Sequence, residues 1–303
     1  MSTVRHPVRT DSSASVKAAS GGVSERSLEA AQDLASSAAR RTDIPIRVGF
    51  VERINADAPP ESRDAAAPLA QLVASGGRGG AVAIKLFLAI VWRCSAAPFT
   101  TDISARTWAK LLDLPDPAHR GARRVTDALR TLERHHLIQL ERRHGEPSII
   151  HLLDEHGLGA PYTLPSTASV NAPAAEKDQH LYFKIPTALW TNGQIQPMSA
   201  PALAMLLVCL ASERGQYGKS QWWSTEGFPN RYGLSPATRS RGTRELVERR
   251  LLIVNKELIS NAGSSGFGRE KVRNRYSLVN ETLGRKSPAT PGTPPPPPRP
   301  SSR

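Results

Sequence analysis

The chain has 303 residues, enough for two domains at about 150 residues each or for one domain with long tails. Hydrophobic residues make up 39% with Tyr counted and Gly left out; exchanging 5 Tyr for 22 Gly brings this to roughly 45%, close to a globular composition, which excludes a wholly disordered chain. Forty Lys and Arg against 27 Asp and Glu give a formal charge of +13, so polyanions are the expected partners.

The positive excess sits late in the chain. Residues 181–283 carry 14 basic and 7 acidic side chains, and residues 284–303 carry 4 basic and none acidic. Residues 1–20 hold no apolar core of a signal peptide. The most apolar stretch, 81–91, is too short for a membrane span and contains Lys85. A cytoplasmic, nucleoid-associated location and no membrane partner are expected. Cys94 and Cys209, far apart in apolar runs, read as buried reduced thiols.

In chain order, residues 1–78 read as an arm rich in Ala, Ser and Arg. It is expected to be largely disordered apart from a short helix carrying Leu28 and Leu34 and a strand-like run at 44–51. Gly76, Gly77, Gly79 and Gly80 close it off. Residues 81–93 are apolar all round, as in a buried helix. Ser104 can cap a second helix with Trp108, Leu111 and Leu112. A turn at 114–117 leads to a third helix ending near His136, and strands at 138–142 and 148–153 follow. Residues 157–179, with Pro161, Pro165 and Pro173, read as a linker.

The order then repeats. After a lead-in strand at 182–185, Ser199 caps a helix with Leu203, Leu206, Leu207 and Leu210 on its apolar face. Trp222 and Trp223 precede Ser224 and a short helix to Tyr232. Ser235 with Pro236 opens the next helix, and strands at 252–259 and 272–279 flank a Gly/Ser-rich loop at 261–268. At an offset of 114, Leu132, Leu137, Ile138 and Leu140 match Leu246, Leu251, Leu252 and Val254. The expected class is mostly α with small β-hairpins (α+β), as two units at 79–156 and 180–282. A Pro-rich basic tail at 283–303 contains the run 294–298, a polyproline II composition suited to a spacer or a docking peptide.

Leu132-Glu133-Arg134-His135-His136-Leu137-Ile138 and Leu246-Val247-Glu248-Arg249-Arg250-Leu251-Leu252 resemble the end of the recognition helix in winged helix-turn-helix DNA-binding proteins, where it runs into the wing. The tandem arrangement also looks like that of plasmid replication initiators. The resemblance implies two tandem winged helix domains and duplex DNA as partner. Two departures stand out: Arg239 and Thr243 occupy the places of Val125 and Leu129, and the first turn is about five residues longer than the second. The first leaves the rotation of the second recognition helix open.

Only side chains opposite the buried stripe of such a helix reach bases. In the first copy, the stripe of Val125, Ala128, Leu129 and Leu132 turns Arg120, Arg123, Asp127, Arg130 and Arg134 outward; these arginines, with Arg124, are the candidate DNA contacts. In the second, Gly242, Leu246 and Arg250 lie inward and Arg241, Arg244 and Glu248 outward, with Ser240 at the flank. Arg130 and Arg244 are equivalent, and a guanidinium can bond guanine or phosphate. Arg269, Lys271, Arg273 and Arg275 alternate along the last strand and are expected to form a ridge beside the recognition helix; otherwise they are a charged edge.

No chemistry competes with this. Gly218-Lys219-Ser220 lacks the first glycine of a phosphate loop, since Glu213 stands there. His151 and His156 are five apart, and His135 with His136 lacks partners at ligand spacing. No enzyme activity, cofactor or metal is expected. A homodimer and a protein docking on the tail are further candidate partners. The readings left open are origin recognition for a bacterial plasmid-like element, promoter regulation, and a winged helix protein-interaction module.

Overall fold

The structure is a computed structural model and describes residues 22–39, 42–53, 66–74, 77–259 and 271–285. The helices are α1 (Glu25–Ser37), α2 (Pro68–Ala74), α3 (Gly77–Arg93), α4 (Ala105–Leu111), α5 (Arg120–Arg134), α6 (Pro165–Asn171), α7 (Ala188–Thr191), α8 (Ala200–Glu213), α9 (Gly227–Tyr232) and α10 (Pro236–Glu248). The strands are β1 (Asp43–Arg47), β2 (Thr100–Thr101), β3 (Ile138–Glu141), β4 (Ile149–Leu152), β5 (Tyr182–Pro186), β6 (Leu252–Ile259) and β7 (Lys271–Leu278). The result is a mixed α/β architecture of many helices and three small antiparallel sheets, ordered β1-β5, β2-β4-β3 and β6-β7.

The serines read as helix caps form as expected. Ser104, Ser199 and Ser235 accept from the amides of Thr107, Ala202 and Thr238 at 3.3, 3.3 and 3.1 Å, each satisfying a donor that the first helical turn leaves open. The helix α3 is buried almost all round, as is α8. Cys94 and Cys209 are free and buried.

The repeat extends to backbone detail. His136 and Arg250 both take a left-handed conformation, at φ 52° and 57°. The Leu137 amide then donates to the Leu132 carbonyl at 3.1 Å and that of Leu251 to Leu246 at 2.9 Å. Leu153 and Val279 return to the Leu137 and Leu251 carbonyls, both at 3.0 Å. In the first copy β2 pairs with β4; in the second, a single bridge from Gln221 to Tyr276 replaces that strand.

Outside the two copies, the short helix and the strand-like run expected within 1–78 are present as α1 and β1. With α2 they join the core, which the reading of this segment as a largely disordered arm did not include: Ala31, Leu34, Ile44, Ile46, Phe50, Leu69 and Leu72 are buried. Short segments with few apolar residues hide their role until a partner surface exists. β1 pairs along its length with β5, from Asp43 opposite Pro186 to Arg47 opposite Tyr182. Residues 157–179, read as a linker, contain α6 and a 3-10 turn and bury Tyr162 and Pro165. One continuous cluster of buried apolar residues runs through both copies; α3 packs on α8, and Trp92 lies 6.5 Å from Trp190. Lys85 of α3, whose pKa burial lowers to about 8, donates to the Gln196 carbonyl. The tail expected from 283 begins in order, because Leu283 is buried and Arg285 pairs with buried Glu213 at 2.8 Å. Residues 286–303 and the loop at 261–268 lie outside the described residues.

Arg47 has no exposed side-chain surface and is ringed by acceptors. Its guanidinium meets Glu155, Asp154 at 3.3 Å, and the Thr163 carbonyl and hydroxyl at 2.9 and 2.8 Å. Replacing Arg47 by Met leaves the buried Glu155 carboxyl without its partner and is expected to destabilise by about 3–5 kcal/mol in urea unfolding. Burial pushes the Glu155 carboxyl up to about 7. The folded chain therefore holds this proton more tightly than the unfolded chain. Stability from Glu155 is full below the ordinary carboxylate range and is lost as pH rises through about 7. Unfolding free energies measured from pH 5 to 8 are expected to show this fall and to lose it in Glu155→Gln.

Candidate nucleic-acid interface

The helix α5 buries Gly121, Val125, Ala128 and Leu132. Its opposite face exposes Arg120, Arg123, Asp127, Arg130 and Arg134, and Arg124 is half-buried at the margin. Two of these arginines are paired nearby: Arg130 with Asp127 of the same helix at 3.0 Å, and Arg120 with Asp116 of the preceding turn at 3.6 Å. Both pairs are exposed, where such contacts contribute little and exchange readily with other anions.

The helix α10 buries Gly242 and Leu246 and exposes Ser240, Arg241, Arg244 and Glu248. Among the described residues no carboxylate lies within ion-pair distance of Arg241 or Arg244. Gly242 sits where α10 crosses α8: a Cβ there would come 2.2 Å from the Pro201 carbonyl oxygen. Glu245 fastens the same crossing, binding the Ser199 amide at 3.1 Å and Arg249 at 3.0 Å. Burial raises its pKa, but these bonds outweigh it and hold the carboxyl below its ordinary value.

Arg239 resolves the departure at the Val125 position. Its side chain keeps the inward direction and enters an aromatic cage, with the guanidinium 4.7 Å from the Phe228 ring, 5.3 Å from Tyr276 and 5.7 Å from Trp223. It donates to the Trp223 carbonyl at 3.3 Å and the Tyr276 hydroxyl at 3.1 Å. A cation is tolerated inside because ring faces and acceptors replace water. The rotation of α10 therefore matches that of α5 at Gly242 and Leu246, opposite Ala128 and Leu132, whereas Arg250, expected on the inward side, is exposed just past the helix end. The cage floors a groove of about 460 Å³ between α10 and β7, whose walls include Ser240, Thr243, Arg244 and Asn274. Sequence reading missed this use of Arg239; the aromatic pair Trp222-Trp223 beside an arginine at a core position was the available signal.

The ridge on the last strand needs correction. Asn274 and Tyr276 line the groove, so alternation turns Arg273 and Arg275 to the opposite face of the hairpin. Both lie against Glu257, at 2.6 and 3.5 Å, and its carboxyl is held below its ordinary value, chiefly by the Arg273 hydrogen bond. Arg269 lies outside the described residues, and only the backbone of Lys271 is described.

Among the described residues no group of three or more His, Cys, Asp or Glu is placed to hold a metal ion, and no helix is long and apolar enough to cross a membrane. Comparisons of the chain with protein-family models, with curated proteins and with solved structures give no match.

The cage and the crossing make two expectations. Arg239→Ala should lower stability by roughly 2–4 kcal/mol, from lost ring contacts and an unsatisfied Tyr276 hydroxyl. Gly242→Ala should cost about 1–3 kcal/mol by overpacking. Both are checked by chemical denaturation with near-ultraviolet circular dichroism.

Proposed function

We propose that this chain binds duplex DNA sequence-specifically through two tandem winged helix units, with α5 and α10 as recognition helices and the β3–β4 and β6–β7 hairpins as wings. The observation that carries the reading is the equivalence of Arg130 and Arg244, both exposed on helices of matching rotation that end in the same left-handed residue before a hairpin. The positive charge is the second support, since a chain of +13 attracts a polyanion at long range. Origin recognition and promoter regulation both fit this mode of binding. An interaction module without DNA readout would make the exposed arginines dispensable.

Within the proposal α10 is the main reader and α5 supplies phosphate contacts. Asp127, which pairs with Arg130, stands where Arg241 stands in the second copy and repels phosphate, whereas Arg241 and Arg244 face outward together. After selection of a cognate duplex from a random pool, Arg244→Ala is expected to cost about 1–3 kcal/mol and to relax preference at one base position. Arg130→Ala should weaken cognate and scrambled duplexes alike, and by less. Binding should fall with salt at a log-log slope of roughly −4 to −7, given about 0.9 counterion released for each of four to eight phosphate contacts. A slope near zero, or unchanged affinity in both variants, would reject DNA binding in favour of the interaction module.

A further inference from the structure

Trp222 and Trp223 are neighbours with opposite fates. The Gln221–Tyr276 bridge lays this short segment beside β7, and alternation along it turns successive side chains to opposite faces. Trp223 packs inward, 5.1 Å from Tyr276 and 5.6 Å from Phe228. Trp222 turns outward and is 48% exposed, unusual for the largest apolar side chain. The guanidinium of Arg273 lies 4.9 Å from its ring centroid. Arg273 is itself held by Glu257 at 2.6 Å, and Arg275 reaches the same carboxylate at 3.5 Å. This is the outer face of the β6–β7 hairpin, turned away from the α10 groove.

We infer that this outer face is a second binding surface, for single-stranded nucleic acid, with Trp222 as its stacking platform. Arg273 covers one side of the indole and fixes its orientation, so little freedom is lost when a base stacks on the other side. Two guanidiniums share one carboxylate, which leaves net positive charge beside the ring for the phosphates of that strand. Bases in a duplex stack on each other and cannot offer a face to Trp222, so the surface selects unpaired strands. A protein partner fits less well, because closing over Trp222 would take Arg273, Glu257 and Arg275 out of water, and that desolvation is costly. A nucleic-acid strand leaves these charges solvated.

The inference goes beyond duplex reading and uses a different face, so the two can fail separately. The full chain is titrated with a 20-mer of oligo-dT, a 20-mer of oligo-rU and a duplex, following both affinity and tryptophan fluorescence. Trp92, Trp108 and Trp190 are buried and Trp223 is packed inward, so quenching on binding reports Trp222. The expected result is binding of one or both single strands with quenching, weakened about 10-fold in Trp222→Ala, with duplex affinity unchanged. Trp222→Phe should keep most of the affinity and lose the quenching, which separates stacking from a folding defect. The two strands differ in the 2′-hydroxyl and in the thymine methyl; a preference for either upholds stacking on Trp222, and equal binding supports stacking indifferent to both groups. Absence of single-strand binding, unaltered affinity in Trp222→Ala, or an equal loss toward the duplex overturns the inference. Single-strand binding that depends on Trp222 without any duplex binding would uphold it and remove the duplex reading instead.

Discussion

A guanidinium sealed from water must be surrounded by acceptors, and at Arg47 that requirement gathers distant parts of the chain. Its partners Asp154, Glu155 and Thr163 all come from the segment after β4, and the Tyr162 ring lies 5.6 Å from the cation. The backbone of the same residue pairs with β5 at Tyr182. One residue thus joins, by its side chain and its backbone, the strand β1, the end of the first copy, the connecting segment and the entry to the second copy. Removing Arg47 leaves Glu155 buried without its partner, which is costlier than never having had the pair. Neighbouring residues follow from this constraint. His156 binds Asp154 through Nδ1, and position 49 is glycine because a Cβ there would lie 2.1 Å from the His156 ring.

The consequence for function is geometric. If the two copies were joined only by a flexible linker, α5 and α10 would move independently, and engaging both at once would be limited by effective concentration. A shared core, a β1–β5 sheet and the Lys85–Gln196 contact instead hold α5 and α10 on one scaffold. On the proposed reading, the spacing of two DNA half-sites is then set by the protein, and binding does not have to order the units first.

Much of each copy was legible because its signals are local. Caps at Ser104, Ser199 and Ser235, the apolar faces of α3 and α8, and the Leu-x-x-x-x-Leu ending are written within a few residues of where they act. The outward direction of Arg130 and Arg244 followed from helical period alone. What escaped depends on residues far apart. Nothing near Arg47 announces Glu155, and β1 shows no partner until β5 lies beside it, so residues 22–53 read as an arm. The face of Arg273 and Arg275 escaped for another reason. Alternation placed both arginines on one side, but which side faced α10 was decided by Tyr276 entering the Arg239 cage.

That cage shows how two copies of one plan diverge. Val125 fills its place in α5 by burial alone and needs no partner beyond neighbouring apolar atoms. Arg239 in the equivalent place needs acceptors and ring faces, and the second copy supplies them with Trp223, Phe228 and Tyr276. The cost of burying a cation is offset only if all these groups hold their positions, so α9, α10 and β7 are tied together more tightly than apolar packing alone would tie them. Because Tyr276 is committed inward, its neighbours Arg273 and Arg275 are committed outward, and Trp222 is committed outward by the burial of Trp223. Both faces of the second hairpin are therefore tied to the arginine that α10 carries where α5 carries valine.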